Sequence, residues 1–136
     1  PPPPAAAGIM NLYSREYFEL LRSRLRDGGV ASYWLPIVSL SPKESKAITR
    51  AFCDAFEDCS LWEGGKGDWI LVGTRGRVHT FTEEEIRRPW ANPRLRRALT
   101  SIGIERAEQL GALFLADAPM LAPSQIYNWN AACGCL

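Results

Sequence analysis

Asp27-Gly28-Gly29-Val30-Ala31-Ser32-Tyr33-Trp34-Leu35-Pro36, residues 27–36, is the stretch on which the fold turns. The two glycines stop whatever helix precedes them, because glycine accepts the left-handed conformation found at helix ends. Val30 to Leu35 then reads as a strand. It is nearly continuous in apolar and aromatic residues, the pattern of a sheet strand covered on both faces. Upstream, Ser14 suits a helix N-cap, and Arg15 to Arg26 carries Tyr17, Phe18, Leu20, Leu21 and Leu25 at helical spacing. Downstream, Ser41-Pro42-Lys43-Glu44 combines a capping serine, a proline suited to the first helical position and a glutamate that completes a capping box. The helix it starts is predicted to run to about Phe56, with Ala47, Ile48, Ala51, Phe52, Ala55 and Phe56 forming its buried face.

Beyond that helix, Ser60-Leu61-Trp62 and Asp68 to Thr74 flank the turn Gly64-Gly65-Lys66-Gly67 and read as a two-stranded hairpin. From Gly76 onward the character changes. Thr82-Glu83-Glu84-Glu85 offers a second capping box, and Asn92-Pro93 caps the segment Arg94 to Ser101, which Gly103 breaks. Glu105 to Ala116 reads as a further helix, with Ala107, Leu110, Leu113 and Phe114 on one side. Ala118 to Leu136 reads as irregular. The predicted organisation is an α/β unit over 1–76, a helical extension over 77–117 and an irregular tail over 118–136.

Charge excludes some classes of function. Sixteen Lys and Arg face fifteen Asp and Glu, so the net charge is +1 and nucleic-acid binding has no bulk electrostatic basis. The arginines 87, 88, 94, 96 and 97 are flanked by acids and read as solvated helix faces. No apolar run approaches the roughly 18–20 residues that span a bilayer. The opening Pro1–Pro4, Ala5–Ala7 and Gly8 have no basic or apolar signal region. They read either as a stiff leader or as a loop from the middle of a larger fold. An open doubly wound sheet usually needs two βαβ halves, and 136 residues hold little more than one.

Few residues point to chemistry by themselves. The Gly64–Gly67 turn lacks the Ser/Thr of a P-loop and lies between strands. Cys53, Cys59, Cys133 and Cys135 lack CxxC spacing and read as reduced cysteines of a cytosolic protein. His79 is the single histidine and supports no triad. Tyr33 and Trp34 stand at the carboxyl end of their strand, where ligands of open α/β sheets bind. For them, pocket lining and core packing both remain open.

The run Asn11-Leu12-Tyr13-Ser14-Arg15-Glu16-Tyr17-Phe18-Glu19-Leu20 resembles a stretch of bacterial spermidine-synthase-like proteins, the polyamine aminopropyltransferases. The segments Leu25 to Val30, Trp34-Leu35-Pro36, Leu40-Ser41-Pro42, Ser60-Leu61-Trp62 and Gly67-Asp68 into Ile70–Gly73 keep that family's order and spacing over roughly residues 1–76. Ala112 to Asp117 resembles the tail of the long bacterial members, often fused to a membrane transporter-like half.

The resemblance implies the C-terminal part of a class I methyltransferase-like, Rossmann-type sheet with a final antiparallel hairpin and a small helical tail. It implies aminopropyl transfer from decarboxylated S-adenosylmethionine, as co-substrate, to an amine such as putrescine. An acidic side chain takes the amine's proton in that family. The donor-binding loop and that acid precede the region matched, so the chain is expected to lack catalytic residues and to be inactive alone. Pro1, Pro2, Pro3, Pro4 and Ala5 would border the donor and amine pocket, and Tyr13 would pack near it. Tyr33, Trp34, Leu35 and Pro36 would form the amine-side wall, with Tyr33 standing where the family often has Gln. Gln125 to Asn130 stands where an acidic stretch is expected. The implied location is cytoplasmic, or the cytoplasmic part of a membrane-fused parent. No nucleic acid, metal or membrane contact is expected of this segment, and a homo-oligomer is compatible with it. Two rivals stand beside this reading. One is an S-adenosylmethionine-dependent methyltransferase-like domain, and the other is a non-catalytic module that interacts through an exposed sheet edge.

Overall fold

A computed structural model gives the fold and describes residues 8–65, 67–76 and 82–121. The chain is mixed α and β, with one open, fully antiparallel sheet of four strands. A 3₁₀ turn, Ile9–Tyr13, leads into α1, Arg15–Arg24. β1 is Val30–Leu35, α2 is Pro42–Ala55, β2 is Ser60–Gly65 and β3 is Asp68–Thr74. Three short helices follow, α3 at Glu83–Ala91, α4 at Pro93–Ser101 and α5 at Ala107–Gly111, and then β4 at Phe114–Asp117. The strand order is β1-β3-β2-β4.

The helix starts form as their local chemistry dictates. Ser41 Oγ accepts the Glu44 N–H while the Glu44 carboxylate accepts the Ser41 N–H at 2.8 Å. Thr82 and Glu85 repeat the arrangement at α3, and the Asn92 side-chain Oδ1 accepts the Arg94 and Leu95 N–H groups at the start of α4. Each cap satisfies donors that the first helical turn leaves without partners. At the far end of α1, the Arg75 guanidinium donates to the Ser23 and Leu25 carbonyls, supplying what that helix end lacks. Backbone bonds between Gly28 or Gly29 and Arg75 then extend the β1–β3 ladder past the strand ends.

The core lies on one face of the sheet, beneath α1 and α2. Tyr33 and Leu35 of β1, Leu71 of β3 and Leu61 of β2 point into it, together with Phe18 of α1 and Phe52 of α2. Phe18 and Tyr33 meet edge to face at 4.9 Å, Phe18 and Phe52 at 5.2 Å, and Phe52 stacks on Phe56 at 4.7 Å. Gly73 of β3 is what admits Phe56. A Cβ at that position would lie 2.6 Å from the Phe56 Cβ and Cγ.

Four sequence-based expectations are corrected. β1 is packed on one face only, and its burial alternates along the strand from exposed Val30 to buried Leu35. The aromatic residues that made it look continuous are divided between the faces, Tyr33 inward and Trp34 on the other side. The helix expected over Glu105 to Ala116 stops at Gly111, and Phe114–Asp117 forms β4 instead. The free edge of β2 supplies backbone partners there, with Leu61 opposite Ala116 and Trp62 opposite Phe114. The hairpin β2–β3 therefore does not end the sheet, because β4 from the 77–117 segment joins it. Cys53 and Cys59 are not reduced but joined to each other, because the chain reverses between α2 and β2 and brings their Cα atoms to 5.1 Å. Pro1–Pro4, Ala5, His79, Cys133 and Cys135 lie outside the described residues. Among the described residues no helix is long and apolar enough to cross a membrane.

Candidate functional site

Side chains alternate across a strand, so the register assigns each residue to a face. On the face away from α1 and α2, Trp34, Ile70, Trp62 and Phe114 lie opposite one another across β1, β3, β2 and β4. They form one apolar row across the sheet. Trp62 and Phe114 meet edge to face at 5.3 Å, a favoured geometry for aromatic pairs. Phe114 stays 40% exposed, and Val30 at the start of β1 is 57% exposed. Among the described residues this face is apolar yet largely uncovered at its β1 end.

At the β4 end the same face forms one wall of a cleft of about 600 Å³. Trp62, Val72 and Phe114 line it from the sheet, and Ile86 of α3 from the other side. Glu57, Asp58 and Asp117 stand at its rim, with no Lys, Arg or His among the described lining residues. The volume is that of ordinary small-molecule sites. Two rim carboxylates are already engaged. Asp58 accepts the Thr74 N–H at 2.8 Å and the Thr74 hydroxyl, and Asp117 accepts the Met120 N–H.

The residues that the resemblance implied as a site lie mainly on the other face. Tyr13, Tyr33 and Leu35 are buried there, and Pro36 is fully enclosed. Tyr13 and Tyr33 are brought together, ring to ring at 5.5 Å, and the Tyr33 hydroxyl donates to the Leu12 carbonyl at 2.6 Å. Burial pushes the Tyr33 phenol well above its usual range, and the neighbouring Tyr13 and Tyr17 add to the shift. Burial raises Tyr13 as well. Both phenols therefore stay protonated near neutrality, and Tyr33 acts as a hydrogen-bond donor that ties β1 to the turn before α1. Trp34 is separated from this group, half-buried on the opposite face.

Nothing in the linear sequence singled out the cleft. Its aromatic wall needs β4, and the period of residues 105–116 had read as helical. Alternation does not announce it either, because the register shifts between Leu61 and Trp62 and puts Phe114 and Ala116, two apart, on opposite faces. No protein-family model, no curated protein and no solved structure matches this chain.

Proposed function

We propose that this chain is the acceptor-side half of an α/β domain similar to the spermidine-synthase-like aminopropyltransferases, and that it acts once a donor-binding half pairs with the outer edge of β1. One observation carries the reading. Among the described residues β1 is an edge strand of six residues with neither charge nor proline, and Val30 and Trp34 lie beside that edge on the face that α1 and α2 do not cover. Free edges are normally blunted by lysine, proline or a bulge, and β1 has none of these. A strand ahead of α1 and parallel to β1 would take this outer edge, because β3 fills the inner one. α1, packed on the Tyr33 face, would then be the crossover helix between two parallel strands.

The donor, decarboxylated S-adenosylmethionine, does not fit the described residues alone. Tyr13, Tyr33, Leu35 and Pro36 are spent on packing, and the Tyr33 hydroxyl is taken by a backbone carbonyl. Donor binding and the catalytic acid belong to the other half in this reading. The contribution of this chain is the Tyr13–Tyr33 brace, which ties β1 to the turn before α1.

The test supplies the donor half of a spermidine-synthase-like enzyme in trans and follows spermidine formed from putrescine and decarboxylated S-adenosylmethionine. The expected result is product only with both halves present, and a weaker complex with Val30→Asp. Absence of both complex and product overturns the reading, as does spermidine made by this chain alone. Equal competition by S-adenosylmethionine itself would favour methyl transfer. A second reading uses the same unblunted edge without catalysis, pairing β1 with β1 of another copy. Mass that rises with concentration in light scattering supports it, and a strict monomer counts against it.

A further inference from the structure

Cys53 and Cys59 lie six positions apart and bracket the turn between α2 and β2. That turn holds three things at once. It seats Phe56 in the core against Gly73, with no exposed surface. It presents the Asp58 carboxylate to the N–H and hydroxyl of Thr74 at the end of β3. It also lines the cleft, through Glu57, Asp58 and Cys59. The two residues differ in exposure, since Cys59 is 1% exposed whereas Cys53 is only half-buried on the last turn of α2.

From this arrangement we propose that Cys53 and Cys59 form a reversible dithiol–disulfide latch that sets the shape of the cleft by clamping the Glu57–Asp58 turn onto β3. The proposal stands independently of any aminopropyl or methyl transfer. The co-reactant is a dithiol reductant of the thioredoxin type. One of its thiolates attacks the Sγ of Cys53, the more exposed residue of the pair, the protein S–S bond breaks, and Cys59 leaves as a thiolate that takes up a proton. The second thiolate of the reductant then attacks the mixed disulfide and releases Cys53. Two electrons pass to the protein, which gains two thiols, and the reductant leaves as a disulfide.

Reduction would not dismantle the fold, because other bonds hold the turn. Phe56 N–H still donates to the Phe52 carbonyl at 2.9 Å, and Cys59 N–H to the Phe56 carbonyl at 3.1 Å. What is lost is the covalent closure that keeps Asp58 against Thr74. The end of the cleft nearest α2 is thereby released, while β1 and its contacts are untouched.

The experiment is hydrogen exchange read by mass spectrometry on the full chain carrying Cys133→Ser and Cys135→Ser. It is run in buffers of oxidised and reduced dithiothreitol, with peptide mapping of the linkage. In oxidising buffer the Cys53–Cys59 peptide pair is expected to be linked. On reduction, the amides of residues 57–60 and of Thr74 are expected to exchange at least tenfold faster. Those of residues 31–35 should change less than twofold. A Cys53→Ser, Cys59→Ser variant in oxidising buffer should reproduce the reduced pattern, and if it fails to fold the wild-type comparison stands by itself. Unlinked cysteines in oxidising buffer, unchanged exchange, or an equal rise over the whole chain would each overturn the latch.

Discussion

Replacing Gly73 by alanine tests the packing that sets the angle between α2 and the sheet. The backbone of Gly73 lies outside the left-handed region, so alanine brings no backbone strain there. Taken by itself, a Gly→Ala change at such a site stabilises by about 0.4–1 kcal/mol, because it restricts the unfolded chain. The structure demands the opposite sign. The new Cβ would meet the Phe56 Cβ and Cγ at 2.6 Å and its Cδ1 at 2.9 Å. Ordinary carbon contacts lie near 3.5–4.0 Å, so the overlap is about 1 Å. Phe56 has little freedom to retreat. It has no exposed surface, stacks on Phe52 and lies between the two bonded cysteines. Overpacking of this kind costs about 1–3 kcal/mol, and the tethered ring places Gly73→Ala toward the upper end. For a domain of this length each kcal/mol moves Tm by about 3–5 °C, so a fall of roughly 6–15 °C is expected. Urea titration should show a lower midpoint with an unchanged slope, since the surface exposed on unfolding is the same. In the background of Phe56→Ala, which removes Cγ and Cδ1 from the overlap, the same change should cost at least about 1 kcal/mol less. A loss below about 0.5 kcal/mol, or strict additivity of the two substitutions, would refute the close approach.

The remaining predictions concern bonds rather than overlaps. Tyr33→Phe removes the donor to the Leu12 carbonyl and should cost about 1 kcal/mol in urea unfolding, with the fold retained. Hydrogen bonds from the Ser41 side chain and backbone hold the Glu44 carboxyl below its ordinary value of 4.5. Its stabilising contribution is therefore fully present above about pH 4.5 and is lost as pH falls through the lower, folded value. The stability difference between wild type and Glu44→Gln should thus be flat near neutrality and shrink in acid. A difference that grows as pH falls would contradict the capping geometry.

The parts of the fold that could be read in advance are those set by neighbours in sequence. Ser41 and Glu44, Thr82 and Glu85, and Asn92 with Pro93 each act within a single helical turn, and all three helices begin where these residues place them. The hairpin β2–β3 is likewise announced by its own glycines. What escaped the sequence depends on distant partners. The segment Phe114–Asp117 has no strong strand pattern and becomes β4 because β2 offers an unpaired edge. The spacing of Cys53 and Cys59 matches no motif, and their meeting depends on the reversal between α2 and β2. The aromatic cleft inherits both uncertainties, since β4 supplies one wall and the cysteine turn one end.

The misreading of β1 is the most instructive, because its composition was not wrong about its chemistry. Val30, Ala31, Tyr33, Trp34 and Leu35 are what a strand covered on both faces carries. α1 and α2 cover Ala31, Tyr33 and Leu35, but Val30 remains 57% exposed and Trp34 half-buried. β4 differs, for it also lies at an edge yet is only four residues long. A short edge strand gives another chain little to pair with, whereas six uncharged residues in β1 give it a full ladder. The excess of apolar residues on β1 is thus concentrated where, among the described residues, the sheet has an unfilled pairing edge. Edge and face point to the same side of the molecule, and a single added strand with its covering helix would bury both. Packing statistics taken strand by strand therefore described β1 as a central strand, which is the role that the proposed pairing with a donor-binding half would give it.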